Sequence, residues 1–301
     1  MGVLGAFAVT VWLCGPRAAA VLAAKMQSAE ENSPKVALDR VGFVRLPEWL
    51  EQPMLLEVSE ACSPWLSDEV GILDERSGRK LRDGLRTVPW VRDVRIERVF
   101  PDRFRLHLEL RRPVLAVRSA DGQPLCVVDR DGVALPHVEL ALPYVQLYRE
   151  GGSPTMAVVP GDVCDEPRVH AAVGVANEWR ERLAPIVARC PTLVEIDATN
   201  LGERWIPGPQ YPEVRVTLRR HDGAPVVFGY GRPVDSPLPR VPVRNKAAVL
   251  SSVLQQHEGL DGLVAGDLRF RRRWADYLQP RAQGVRDPYA DWKQLPPADG
   301  R

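Results

Sequence analysis

Apolar and polar positions change period several times along this chain, and each change marks an element. Leu81, Leu85 and Val88 recur at i, i+4 and i+7, one face of a helix. Pro89 stops that helix, because proline disfavours the α conformation at the preceding residue and cannot donate a backbone hydrogen bond. Val94 and Ile96 then alternate with Arg95 and Glu97, as in a half-buried strand. After a turn at Pro101-Asp102-Arg103, Phe104, Leu106, Leu108 and Leu110 alternate strictly with Arg105, His107, Glu109 and Arg111. That pattern predicts an antiparallel strand with one buried and one wet face. Upstream, residues 41–46 read as a short strand, and 54–66 and 75–88 as two helices. The expected order is β-α-α-β-β, with both helices covering one face of a three-stranded sheet.

From about Leu115 the pattern changes to strands and turns. Residues 125–128 and 133–135 flank Asp131-Gly132 as a hairpin; the Asp-Arg-Asp-Gly run lacks the other ligands of a calcium loop and reads as a turn. Val169, Ala172, Val173, Ala176, Trp179 and Leu183 mark an amphipathic helix. Residues 193–196 form a strand, and 203–212 a Pro/Gly-rich loop. Val214, Val216 and Leu218 alternate with Arg215, Thr217 and Arg219, His221-Asp222-Gly223-Ala224 turns the chain, and 226–230 returns it. A helix over 245–256 turns Ala247, Leu250 and Leu254 inward. Gly262 precedes a last strand, Leu263 to Phe270, and then come Arg271 to Arg273, Trp274 and Tyr277.

The first 24 residues carry a single charge, Arg17, and their length matches the roughly 20 residues that cross a bilayer. They read as one membrane anchor. A secretory signal peptide is the alternative, although no Lys or Arg precedes the apolar run; a third reading is a start codon placed too late, with a basic tail missing. Residues 25–40 are polar and read as a linker, and 278–301, rich in Pro, Asp and Gly, as a disordered tail.

The 301 residues suit two domains rather than one, and a net charge of +1 gives no support to nucleic-acid binding. The five cysteines form no C-x-x-C. Cys126 reads as a buried small hydrophobe, Cys14 as the odd thiol of an exported chain, and Cys164 with Cys190 as the candidate disulfide. The five histidines have no metal-ligand spacing, and no G-x-S-x-G, P-loop or G-x-G-x-x-G occurs. The expectation is therefore no catalytic residue, no metal and no cofactor, with function carried by surface and edge. Leu263 to Phe270, last in sequence order, is the candidate edge strand, open to a partner's strand. Arg269, Phe270, Trp274 and Tyr277 are residue types enriched in interface hot spots.

Several of these stretches resemble the FtsQ/DivIB bacterial cell-division proteins. Val88-Pro89-Trp90-Val91, the turn ending at Pro101 and Glu109-Leu110-Arg111-Arg112-Pro113-Val114-Leu115-Ala116 match the family's POTRA domain. Val127-Val128-Asp129-Arg130-Asp131-Gly132-Val133 matches the family's next stretch of chain. Val227-Phe228-Gly229, Val243-Arg244-Asn245-Lys246 and Asp267-Leu268-Arg269-Phe270 match its β domain. The resemblance spans roughly residues 40 to 277. It implies an α+β chain: an anchor at 1–24, a linker at 25–40, a POTRA domain at 41–117, a β domain with packed helices at 118–277, and a tail.

The function that the resemblance implies is a non-catalytic, single-pass inner-membrane scaffold at the division septum, with most of the chain outside the cytoplasm. Its partners would be small coiled-coil division proteins of FtsB and FtsL type and other divisome components. They would meet the last strand and the residues after it: Leu263, Asp267, Leu268, Arg269 and Phe270, with Trp274 and Tyr277. The alternative is an exported POTRA-type interaction module of an envelope assembly or secretion complex. An outer-membrane barrel is not expected, because the chain left after residue 277 is too short to build one.

Overall fold

In the computed structural model, the described residues are 47–66, 75–99, 103–147, 158–203, 211–232 and 241–280, with short pieces at 20–21, 23–25, 27–28, 35–36, 41–43, 70–71, 206 and 208. The chain divides into two compact units at Arg111/Arg112. The anchor expected at 1–24 lies largely outside the described residues. Among the described residues no helix is long and apolar enough to cross a membrane.

The first unit has the predicted β-α-α-β-β order. Val41–Phe43 (β2), Val91–Val99 (β4) and Arg103–Leu110 (β5) make a three-stranded sheet with β5 in the centre. β4 and β5 are an antiparallel hairpin, and β2 joins β5 in parallel. The helices Gln52–Leu66 (α1) and Glu75–Arg86 (α2) lie between β2 and β4 in sequence. A short ribbon adds to this: Lys35–Val36 (β1), inside the stretch read as linker, pairs with Val70–Gly71 (β3).

Met54, Val58 and Cys62 of α1, Leu81 and Leu85 of α2, and Val91, Val94, Leu106 and Leu110 of the sheet are buried, as are Val88 and Trp90 between α2 and the sheet. The periodicity of both helix and strand is therefore realised. Leu108, on the Leu106 face, is only half-buried, and the side chain of Phe104 lies outside the described ones. His107 stays half-exposed on the wet face, with a ring nitrogen 3.2 Å from Glu97. Helix α2 packs on α1 and β4. The close approach to α1 depends on Gly84, where an added Cβ would stand 2.3 Å from the Trp65 ring.

Among the described residues, the second unit is built on one nine-stranded mixed sheet. Its strands are Pro113–Arg118 (β6), Pro124–Asp129 (β7), Ala134–Leu135 (β8), Tyr144–Gln146 (β9), Leu193–Asp197 (β10), Arg215–Arg219 (β11), Pro225–Gly229 (β12), Leu263–Asp267 (β13) and Gln279–Pro280 (β14). Their spatial order is β14-β13-β12-β11-β10-β9-β6-β7-β8. The domain boundary thus falls before Pro113, earlier than the expected 117. Val114, Leu115 and Val117 are buried in the second unit's core, and an apolar run reads the same whichever sheet it joins. The structured chain also extends past the expected 277, since β14 occupies what reads as tail.

Two helices pack into this core. Pro167–Glu178 (α3) starts with Pro167 at its first position, suited to a place where no N–H is needed, and the Glu166 side chain accepts from the Arg168 N–H. It continues as a π turn, Trp179–Leu183. The six predicted stripe positions are all buried, but so are Ala171, Gly174 and Val175, so the helix is enclosed on most sides. Val243–Gln256 (α4) buries Lys246, Ala247, Val249, Leu250 and Val253, while Leu254 is only half-buried.

Arg215, a polar position of the alternating pattern in β11, is nevertheless 3 % exposed and pairs with buried Asp197 at 2.5 Å. Cys164 and Cys190 do not pair; they and Cys62 and Cys126 are free thiols. They sit at opposite ends of the helix that begins at Pro167, and a rise of about 1.5 Å per residue carries them beyond disulfide reach. Burial pushes the Cys126 thiol up to about 12 and those of Cys62 and Cys190 to about 11. These groups are protonated fillers rather than nucleophiles.

One buried polar cluster of the second unit joins three elements. Lys246 Nζ of α4 lies 2.7 Å from Glu178 Oε1, at the end of α3. Tyr230, just past β12, donates its hydroxyl to the same oxygen at 2.5 Å, and the Lys246 cation lies 3.6 Å from the Tyr230 ring centroid. Burial and the Glu178 carboxylate push the Tyr230 hydroxyl well up, which keeps it the donor.

This packing sets two expectations. Leu106→Ala should cost about 2–5 kcal/mol and His107→Ala little, read as the difference in chemical unfolding midpoints; equal shifts would mean that the buried face of β5 is misassigned. Lys246→Ala should cost about 3–5 kcal/mol, because it strands a buried carboxylate, whereas Lys246→Met combined with Glu178→Leu should recover most of that loss. Tryptophan fluorescence during urea unfolding, with Trp179 beside the cluster, is the measurement.

Candidate partner-binding surface

The end of the second sheet carries the residues that sequence singles out for partner binding. β12 and β13 run parallel, and past the strand the Leu268 N–H donates to the Gly229 carbonyl at 2.8 Å. Asp267 and Arg269 are locked together: Arg269 Nη2 lies 2.7 Å from Asp267 Oδ2, and the Arg269 backbone N–H donates to Oδ1 at 2.9 Å. This tight turn has a sequence requirement. A Cβ at Gly229 would stand 2.6 Å from Asp267 Oδ2, so only glycine leaves room for the carboxylate.

After this turn the chain forms a small aromatic and basic knob. Phe270 stacks on Tyr277, with ring centroids 4.3 Å apart and planes 10° from parallel. Arg269 lies 5.0 Å from the Phe270 centroid. A short 3₁₀ turn, Trp274–Tyr277, closes the loop, with Arg273 on Asp276 at 2.7 Å. Trp274 and Leu278 pack partly against the second unit's core, and Arg271, Arg272 and Arg273 are exposed.

β13 is not the edge strand expected of it. The 3₁₀ turn folds the chain back so that β14 pairs with β13 in antiparallel fashion, Leu263 opposite Pro280 and Ala265 opposite Gln279. The edge on this side of the described sheet is therefore β14. It is two residues long, and Pro280 has no N–H to offer, a combination that blunts strand addition. A Gln-Pro dipeptide carries no strand signal of its own, and only the return path of the chain makes it one.

The seven expected contact residues separate accordingly. Leu263 and Leu268 are 0 % exposed and Asp267 is 7 %, so these three build the platform rather than the surface. Arg269, Phe270, Trp274 and Tyr277 come together as a half-buried patch above it, except that the Arg269 guanidinium is turned down onto Asp267. The Arg271–Arg273 run lies between Phe270 and Trp274 in the sequence, and all three arginines are exposed next to the patch.

Among the described residues no group of three His, Cys, Asp or Glu side chains is arranged to hold a metal ion. A cavity of about 500 Å³ lies beside α3, with His170, Asn177 and Glu213 at its rim. Two of its polar groups serve the fold: Asn177 donates to the Arg130 carbonyl, and Glu213 accepts from the Gly202 N–H and pairs with Arg232. A scan against protein-family models finds no match for this sequence, and a search among curated proteins finds no relative.

The platform makes a direct prediction. Gly229→Ala should displace Asp267 from Arg269 and destabilise the second unit by about 1–3 kcal/mol. Removing the carboxylate as well, in Gly229→Ala with Asp267→Ala, should lose less than the two single changes added together. A double-mutant cycle on unfolding free energies measures this coupling.

Proposed function

We propose that this chain is a non-catalytic scaffold of the bacterial cell-division machinery, of the FtsQ/DivIB type. Residues 1–24 hold it at the inner membrane as a single-pass protein, with the bulk of the chain outside the cytoplasm at the division septum. The patch of Arg269, Phe270, Trp274 and Tyr277 binds small coiled-coil partners of FtsB or FtsL type. Other divisome proteins meet the rest of the two units.

One observation carries this reading. A small β-α-α-β-β unit, with the Val-Pro-Trp-Val and Glu-x-x-x-Pro stretches at its helix–strand and strand–strand junctions, leads directly into a large sheet that ends in the basic and aromatic knob. The order of elements and the order of motifs coincide. Because β14 covers β13, the partner is read as docking on side chains rather than adding a strand to β13. Phe270 and Tyr277 offer a stacked apolar plate, and Arg271 to Arg273 offer charge around it.

The test is binding of the purified chain to candidate coiled-coil ectodomains. Phe270→Ala and Trp274→Ala, each checked for an unchanged melting midpoint, should each lose about 2 kcal/mol of binding, as central aromatic anchors do. Unchanged affinity in both would move the partner surface elsewhere. Membrane fractionation decides between the scaffold and an exported soluble module: the scaffold stays with the inner membrane through a high-salt wash.

A further inference from the structure

Helix α2 and the outer strand β4 of the first unit enclose a groove of about 700 Å³. Arg79, Arg82 and Arg86 line it from the helix, and Arg95 and Arg98 from the strand; Asp93 is the acid among its described lining residues. The three helical arginines follow i, i+3 and i+7 spacing and so share one face. Five lining cations against one lining anion, with Asp83 pairing Arg82 at 3.3 Å just outside the groove, still leave a local excess of positive charge in a chain whose net charge is +1. Arg79, Arg86, Arg95 and Arg98 are exposed, and the Arg82 side chain keeps 41 % of its surface. A recessed array of like charge concentrates its field in the recess, which draws in a ligand of opposite sign.

The groove already holds one carboxylate. Asp93 accepts from Arg86 Nη2 at 2.5 Å, and the Arg86 guanidinium holds its carboxyl below the usual carboxylate range. The planar guanidinium fork matches carboxylate geometry, which favours arginine over lysine for this task. The arginines are spread along the groove rather than aimed at one point. At about 1.5 Å per residue, Arg79 to Arg86 covers about 10 Å of helix. An extended peptide advances about 6.5 Å every two residues, so alternate acidic side chains reach successive guanidiniums. A lone phosphate calls for convergent donors, and a flat membrane surface calls for protruding ones.

We propose that the α2–β4 groove binds an extended acidic segment of a partner protein. This surface lies on a different unit from the Phe270–Tyr277 patch, and the assignment stands whether or not the chain is a division protein.

The experiment uses the purified full-length chain and a fluorescein-labelled octaglutamate peptide, with anisotropy as the readout. Saturable binding is expected. It should weaken about tenfold or more in the triple variant Arg79→Gln, Arg82→Gln, Arg98→Gln, and should also fall with added salt. Arg189→Gln, which removes an exposed arginine of the second unit, should leave it unchanged. If the triple variant melts early, Arg95→Gln with Arg98→Gln carries the same comparison. Two parallel arms separate the anion sources: competition by inorganic phosphate, and flotation with phosphatidylglycerol against phosphatidylcholine vesicles. Peptide binding that ignores both sets of substitutions overturns the proposal. So does preference for phosphatidylglycerol that depends on these arginines while the peptide fails to bind.

Discussion

Three side chains at the centre of the second unit meet at one carboxylate oxygen. Glu178, which supplies it, ends α3, Lys246 lies in the first turn of α4, and Tyr230 comes just after β12. Apolar contacts between two helices tolerate sliding at modest cost, but a buried charge does not tolerate the loss of its partner. The cluster therefore fixes α4 against α3 and both against the sheet. It sits where α3 gives way to the π turn, the segment on which α4 packs. A wider turn at that point re-aims the helix face, and Trp179, the first residue of the turn, lies 6.3 Å from the Tyr230 ring. Arg215 with Asp197 repeats the device within the sheet, tying β11 to β10.

With the helices and the centre of the sheet fixed in this way, the end of the sheet can carry a tight turn with an exposed loop after it. Arg220 contributes to it from within: it is buried, pairs with Asp222 and reaches the Leu263 carbonyl at the start of β13. Asp267 and Arg269 close the other end of the same strand. Between these two ion pairs β13 is held between a longer neighbour on one side and a two-residue strand on the other. The result is an ordered platform with a covered edge, from which half-exposed aromatics and exposed arginines project. A rigid support of this kind reduces the entropy that such side chains lose on binding.

The two surfaces use different chemistry. The knob after β13 combines stacked rings with surrounding charge, suited to an apolar anchor with a polar rim. The α2–β4 groove carries five arginines and one aspartate and is suited to carboxylates. On the first unit the same helix serves both purposes. Leu81 and Leu85 bury one face, while Arg79, Arg82 and Arg86 occupy the other.

Local pattern decided much of this structure. The alternation over 104–111 and the i, i+4, i+7 stripe over 81–88 each placed a whole element, because side-chain period and backbone period coincide. The turn residues at 131–132 and 221–224 placed their hairpins for the same local reason. What the sequence left open depends on partners remote in the chain. An apolar run such as Val114 to Val117 does not say which of two sheets it joins. The local pattern gives Arg215 and Lys246 no partner; Asp197 and Glu178 arrive from elsewhere in the chain to pair with them. Gln279-Pro280 becomes an edge strand only because the turn at 274–277 brings it back onto β13. The residue types of the candidate surface were legible from sequence, but its exposed members were not separable from its buried ones. That separation depends on which strand lies outermost, and strand order is a property of the tertiary fold alone.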